Sequence, residues 1–364
     1  MFKSAAFIFA LVLLGLLAGC TTGSRPNAAP PTVWTLTNSA PNLAPVQPVP
    51  EKPTPSPIVK PILPAKTNLP TPALKWTSLN RWAADHKLAQ PTRVVGSPVA
   101  SYAITSSQGT MIVEIGSREA MWRNVAVHLG FPPELVDDQV FVHGLDLEKN
   151  LAPLLLTKPI RFNPEHVLVL DPGHGGNKTG TISVRDGRPE KDFTLDWARR
   201  IQTLLSTNGW TVWLTRTNDA DISLSNRVSF AETHHADLFI SLHFNSSAPD
   251  KKQSGIETFC LTPTGMPSTL TRGYSDLWTD HYPNNRFDNE NLQLAVRLHT
   301  ALVRASGEED RGVRRARFMT VLQGEQCPAV LIEGGFLSNP HEAAKIESAE
   351  FRQKLAEAVA DALQ

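Results

Sequence analysis

The stretch "HVLVLDPGHGG" at residues 166–176 runs a short apolar segment into an aspartate, a proline, three glycines and His174. Glycine reaches backbone angles closed to other residues and lets a neighbouring group come close. Gly173, Gly175 and Gly176 therefore suit a histidine that must touch a metal, a phosphate or an oxyanion. Two further apolar segments end in chemistry: "DLFISLH" in His243 and "AVLIE" in Glu333. A fourth group, Glu190 in "RDGRPEKDF", stands just before or at the start of a helix. In an open α/β sheet, ligands bind beyond the carboxyl ends of the strands, so parallel central strands would bring these four side chains to one crevice. Two imidazoles and a carboxylate suit zinc, with a fourth position left for water. A second, unbound carboxylate can take a proton from that water. On this count His174, Glu190 and His243 are the candidate metal ligands and Glu333 is the candidate catalytic base.

Taken singly, each residue has a plainer role. His174 fits a structural turn or the oxyanion loop of an esterase, but the Gly-x-Ser-x-Gly elbow such an enzyme needs is missing from the chain. His243 fits a hydrogen-bonded core histidine. Glu190 fits a charge placed favourably against a helix N-terminus. Glu333 is less easily dismissed, because a carboxylate between "AVLI" and "GG" belongs near the interior, where carboxylates are rare unless paired or functional. His128, His143, His281 and His299 have no matching partners in sequence. One of His234 and His235 is expected to cap a helix end, and Asn245 and Arg227 are expected to make ordinary hydrogen bonds near the site.

The elements that would carry these groups follow from hydrophobic period. From His166 onward, apolar runs at "VLVLD", "TVWLTR", "DLFISLHF", "GIETFCL", "FMTVLQ" and "AVLIEGG" read as strands. Phe193, Trp197, Ile201, Leu204 and Leu205 recur at helical spacing with Gly209 as a stop, and Leu292, Ala295, Leu298 and Leu302 repeat the pattern. "NPHE" at 339–342 supplies an Asn cap, a Pro at the first helical position and an acid at the third. Phe351, Leu355, Ala358, Val359 and Ala362 form a last amphipathic face. Continuous apolar strands alternating with helices predict an α/β domain over 163–364, a mostly parallel sheet flanked by helices. The stretch from Thr262 to Asn289 interrupts this alternation and fits a rim or lid over a bound substrate, with "SDLWTDHY" as a short helix at most. Residues 76–162 read as a small β-rich or α+β domain of unknown role, with a hairpin of "SYAIT" and "TMIVEIG" around "SSQG" and a further strand at "QVFVHGL".

Ahead of this, 14 of the 29 prolines fall between Pro26 and Pro72. Such a stretch holds neither helix nor central strand, so 21–75 reads as an extended linker. Residues 1–20, "MFKSAAFIFALVLLGLLAGC", carry Lys3 and then an apolar run too short for a bilayer core of about 30 Å, the pattern of a secretory signal. The closing "LAGC" resembles the lipobox of bacterial lipoproteins. That resemblance implies cleavage before Cys20 and a lipid anchor on its sulfur, with Thr21 favouring the outer membrane if the organism is diderm. Cys260 and Cys327 lie in apolar segments and read as two buried free thiols, although export also permits a disulfide. Across the 364 residues, Lys plus Arg and Asp plus Glu are both 35, so no basic excess points to nucleic acid.

The motifs around the four site residues are specific. "LDPGHGG", "EKDFTLDWARRI", "ADLFISLHFNS" and "PAVLIEGGFLSN" resemble, in order, the motifs of the type 3 N-acetylmuramoyl-L-alanine amidases, which trim bacterial peptidoglycan. The resemblance covers 166–364. It implies a twisted, mainly parallel sheet, a zinc ion on His174, Glu190 and His243, and a catalytic role for Glu333. It also implies peptidoglycan as substrate, for wall remodelling or cell separation. In some relatives an inserted helix blocks the zinc until a protein activator moves it, which makes 262–289 the place to look for autoinhibition. Another zinc-dependent wall peptidase, or a wall-binding protein on the same scaffold, are the alternatives.

Overall fold

The computed structural model describes residues 76–161 and 166–364. Residues 1–75, with the expected signal sequence, Cys20 and the proline-rich linker, lie outside the described residues. In chain order the strands are β1 (Trp76–Ser78), β2 (Thr92–Arg93), β3 (Ser101–Ser106), β4 (Gly109–Glu114), β5 (Glu119–Trp122), β6 (Val125–His128), β7 (Glu134–Val136), β8 (Gln139–His143), β9 (Val167–Pro172), β10 (Thr211–Leu214), β11 (Leu238–Asn245), β12 (Ile256–Cys260), β13 (Asp310–Arg315) and β14 (Ala329–Phe336). The helices are α1 (Leu79–Asp85), α2 (Gly144–Asp146), α3 (Ala152–Leu155), α4 (Glu190–Thr207), α5 (Leu224–Thr233), α6 (Asp288–Ser306), α7 (Thr320–Gln323), α8 (Pro340–Glu347) and α9 (Ala349–Leu363).

An 11-stranded sheet runs in the order β10-β9-β11-β14-β12-β13-β6-β5-β4-β3-β2. The pairings β10–β9, β9–β11, β11–β14 and β12–β13 are parallel, and β12–β14 is antiparallel. Both faces of this half are covered, and the strand residues alternate between them. Leu168, Leu170, Ile240, Leu242, Val330 and Ile332 join one apolar cluster with Phe193, Trp197, Leu298 and Leu355 from α4, α6 and α9. Val169, Phe239, Ala329 and Leu331 join a second cluster with Ala231 of α5 and Leu322 of α7. Period-two alternation into two cores is why these segments read as unbroken apolar runs. Each fully buried large side chain here, such as Trp197 or Phe239, contributes about 1.5–3 kcal/mol.

The helix signals correspond to α4, α6, α8 and α9. The Asn339 side chain accepts from the backbone of His341 and Glu342 at the head of α8. One expectation needs correction. "FMTVLQ" is not a strand: Thr320–Gln323 is the single turn α7, whose Val321 and Leu322 press on the sheet. Short apolar runs do not separate a strand from a buried helical turn. The strand is instead the polar "DRGVRR" of β13. Arg315 is buried there because its guanidinium donates to the carbonyls of Leu261, Asp288 and Lys149. Cys260 and Cys327 are both buried and unpaired.

The first part of the chain continues the same sheet. β6 lies parallel to β13 at Val127 and Val313, and β2 to β6 form an antiparallel meander outward from it. The expected "SSQG" hairpin joins β3 to β4, with Ser106 paired to Gly109. β5 and β6 meet through Arg123 and Asn124, both at positive φ, the backbone that two-residue hairpin turns require. A separate small sheet, β1-β8-β7, completes this region.

Candidate active site

The strand order puts β10 on one side of β9 and β11 on the other, so the chain reverses direction between β9 and β11. Loops diverge from such a point and leave a crevice at the strands' carboxyl ends. His174 follows β9 at φ 65, a left-handed conformation that costs a non-glycine residue of order 1 kcal/mol or more. The loop is held by buried donors from three elements. Arg227 of α5 donates to the carbonyls of Pro172 (3.0 Å) and His174 (2.6 Å) and pairs with Asp171. Arg216 donates to the carbonyls of Pro172 and Gly173, each at 2.9 Å. Thr194 of α4 donates to Gly173 at 2.9 Å. A Cβ on Gly173 would stand 2.3 Å from the His243 ring, and one on Gly180 would stand 2.4 Å from Glu190 Oε2. These two glycines are where the side chains of the site need the room.

Glu190 opens α4 and is buried. Its Oε1 accepts from the Phe244 amide at 3.0 Å and faces His243 Nδ1 at 2.9 Å. Its Oε2 accepts from the Thr181 amide at 2.9 Å and faces His174 Nε2 at 3.1 Å. Burial alone would raise its pKa, but the two imidazoles outweigh burial and hold the carboxyl well below the usual carboxylate range. Ligand atoms of His174, Glu190 and His243 all lie within 4.8 Å of one another. The imidazoles are 29% and 19% exposed against 4% for the carboxylate, so the trio is open to solvent on the histidine side.

Glu333 faces His243 across the β11–β14 ladder and faces Glu257 across β14–β12. It is buried, and its Oε2 has no hydrogen-bond partner. Burial pushes its carboxyl up to about 8, with His243 pulling down, Glu190 pushing up and Arg272 pulling down. The neighbouring Glu257 has no such deficit. It accepts from Asn245 at 2.7 Å and from Arg311 and Arg314 at 3.1 and 3.0 Å.

The four candidates thus meet in one crevice. Arg227 does more than expected, since it fixes the His174 loop, and Asn245 links β11 to Glu257 and Arg272. His234 does cap α5, with Nδ1 2.8 Å from the Phe230 carbonyl. His299 is structural, buried between Thr258 and Asp310. Residues 262–287 form turns and one 3-10 turn (Pro283–Phe287), with no α-helix before α6. Arg272 and Arg216 escaped the sequence reading. Nothing in "LTRGYS" or "LTRTND" separates a buttressing arginine from a solvated one.

Fold and site together define an α/β protein whose sheet delivers two imidazoles and two carboxylates to one switch-point crevice, equipment for hydrolysis. The family model described as N-acetylmuramoyl-L-alanine amidase matches residues 168–364. The chain is 32% identical over 218 residues to the N-acetylmuramoyl-L-alanine amidase AmiA of Escherichia coli (strain K12), covering 54% of this chain and 74% of that protein. It is 31% identical over 238 residues to AmiC of Escherichia coli O6:H1, covering 59% and 56%. The crystal structure of N-acetylmuramoyl-L-alanine amidase from Clostridium difficile 630 is 30% identical, with 55% of this chain and 96% of that chain covered at a TM-score of 0.46. The protein belongs to the N-acetylmuramoyl-L-alanine amidase family.

Proposed function

We propose that the protein is a zinc-dependent amidase that hydrolyses the amide between the lactyl group of N-acetylmuramic acid and L-alanine of the stem peptide in peptidoglycan. The observation that carries this is the close set of His174, Glu190 and His243 beside the unpartnered Glu333 Oε2. The donor set fits zinc. Tetrahedral coordination with bonds of about 2.0–2.2 Å separates ligand atoms by roughly 3.3 Å, and one ligand atom from each of the three residues lies within 4.8 Å of the others. When bound, the ion would acidify a water molecule and polarise the substrate carbonyl.

The chain supplies the rest. Glu190, held ionised by its imidazole neighbours, and the two histidines fix the site. Glu333 takes the proton of the attacking water as the oxygen bonds to the lactyl carbonyl carbon. It then delivers that proton to the alanine nitrogen as the carbon–nitrogen bond breaks. A carboxylate already raised by burial is suited to carrying a proton in both directions. Digestion of purified sacculi, with products identified by mass, tests the reading. Intact stem peptides with a free L-alanine amino end are expected, and chelator is expected to stop their release. Cleavage inside the stem peptide would point to a different wall hydrolase.

The N-terminal sequence supports a setting for this activity. Residues 1–20 serve as a lipoprotein signal, Cys20 carries a lipid anchor, and 21–75 is a tether. Residues 76–162 form an accessory module of unknown role on the amidase domain of 163–364. The enzyme then works on the periplasmic side, at the outer membrane in a diderm cell, for remodelling or separation. A protein activator remains part of this proposal. Radiolabelled fatty acid retained by the wild type and lost in Cys20→Ala would support the anchor.

A further inference from the structure

Among the described residues, the arginines around the crevice differ in what takes up their charge, and Arg216 is spent on the carbonyls of the His174 loop. Arg311 and Arg314 pair with Glu257, and Arg317 pairs with Asp276. Arg272, on the exposed loop after β12, makes no ion pair among the described residues. It donates one hydrogen bond, to Asn245 Oδ1 at 2.9 Å, and its guanidinium lies 5.8 Å from the Phe318 ring centroid. The loop is held in place around it. Arg272 and Gly273 sit at φ 49 and 79, the Tyr274 amide donates to the Thr271 carbonyl at 2.9 Å, and the Tyr274 ring stacks on Phe318 at 5.3 Å and 11°. A guanidinium fixed by one hydrogen bond and one ring face keeps other N–H groups for a second acceptor, and a planar carboxylate matches its fork.

We propose that Arg272 forms a carboxylate subsite that binds the second residue of the stem peptide and sets specificity there. This rests on the amidase reading above. Asn245, which Arg272 touches, stands two residues beyond His243 on β11, across a β-bulge, and so at most about 7 Å along the strand. On the peptide side of the scissile bond, L-alanine carries no charge. The nearest anion is the free α-carboxylate of a γ-linked D-glutamate, about 7 Å from the scissile carbon by the reach of an extended chain. Arg272 is a specificity residue in this scheme, and Glu333 keeps the proton transfer.

Two synthetic muramyl peptides test this, one with D-glutamate as its second residue and the other with the α-carboxamide, D-isoglutamine. The wild type is expected to favour the carboxylate about tenfold or more in kcat/KM, mostly through KM, the worth of a hydrogen bond to a charged partner. Arg272→Gln is expected to lose that preference by slowing the carboxylate substrate more than the carboxamide, with Arg272→Lys keeping part of it. Calorimetric binding of both peptides to the wild type and to Arg272→Gln reads the same discrimination without turnover. Equal cleavage and equal binding of the two peptides by the wild type would overturn the subsite, as would an equal loss on both in Arg272→Gln. Discriminating binding with no free L-alanine terminus from either peptide would defeat the amidase reading and keep the subsite.

Discussion

The two halves of the sheet use the same hydrogen-bonded ladder to different ends. From β10 to β13 most pairings are parallel, the central strands are buried on both faces, and the connections between parallel neighbours cross back over the sheet. From β6 to β2 the strands form an antiparallel meander. Two of its turns are two-residue links, Ser107–Gln108 and Arg123–Asn124. A hairpin closes its strand end with its own backbone. A crossover leaves its strand end open, with room for an imidazole or carboxylate and for the loops that buttress it. All four chemical residues belong to the crossover half, and none comes from the meander.

Glu333→Gln attacks that division most directly. It keeps the size of the side chain and removes the proton acceptor, so activity on sacculi should fall by about a hundredfold or more. Metal content measured by atomic absorption should stay at the wild-type level. A variant that digests sacculi at the wild-type rate would remove Glu333 from the chemistry.

Arg227→Ala comes next. It leaves Asp171 buried without its cation, and breaking a buried pair typically costs about 3–5 kcal/mol. Asp171 keeps bonds from Thr215 and Ser241, which favours the lower figure. Denaturant unfolding should show the loss, and activity should fall with it as the His174 loop loosens.

Glu325 gives a milder test in the same half. It is buried, with Oε1 unpartnered, and burial pushes its carboxyl up to about 9, with Asp171 and Glu232 pushing the same way. The folded chain therefore holds a proton there that the unfolded chain releases near its ordinary value of 4.5. This group's contribution is full below pH 4.5 and is lost as pH rises towards 9, at up to about 1.4 kcal/mol per pH unit. Glu325→Gln should flatten the fall of Tm between pH 6 and 9 without lowering Tm at pH 8.

The smallest effect lies in the meander. Asn124 holds φ 68 in its hairpin turn, so Asn124→Gly should change stability by less than about 1 kcal/mol and leave activity unchanged. A large loss of activity would show that the two halves are not separable in function.

The same contrast explains what the sequence could reveal. The strands that lead to His174, His243 and Glu333 are apolar runs, and local pattern suffices to find them. The head of α8 was legible because Asn339 and Pro340 act on their own backbone. β13 was not, because its arginines are satisfied by Glu257 and by carbonyls far away in the chain, and period analysis reads "DRGVRR" as a solvated loop. The join between β6 and β13 is equally silent, since it pairs residues with no local signature. Arg272 belongs to this class too. Its role depends on where a loop lands, and composition does not encode that.

The pairing of His243 with Glu333 makes the crevice sensitive to chain length in an uneven way. Side chains alternate along a strand, so one residue inserted between Ala329 and Glu333 would turn the acid towards the α4–α9 core and bring a neighbour into its place. One inserted in the loop between Gly324 and Pro328 would leave the frame of β14 intact. Length drift among relatives should therefore gather at the amino ends of these strands and spare the few residues ahead of each chemical group.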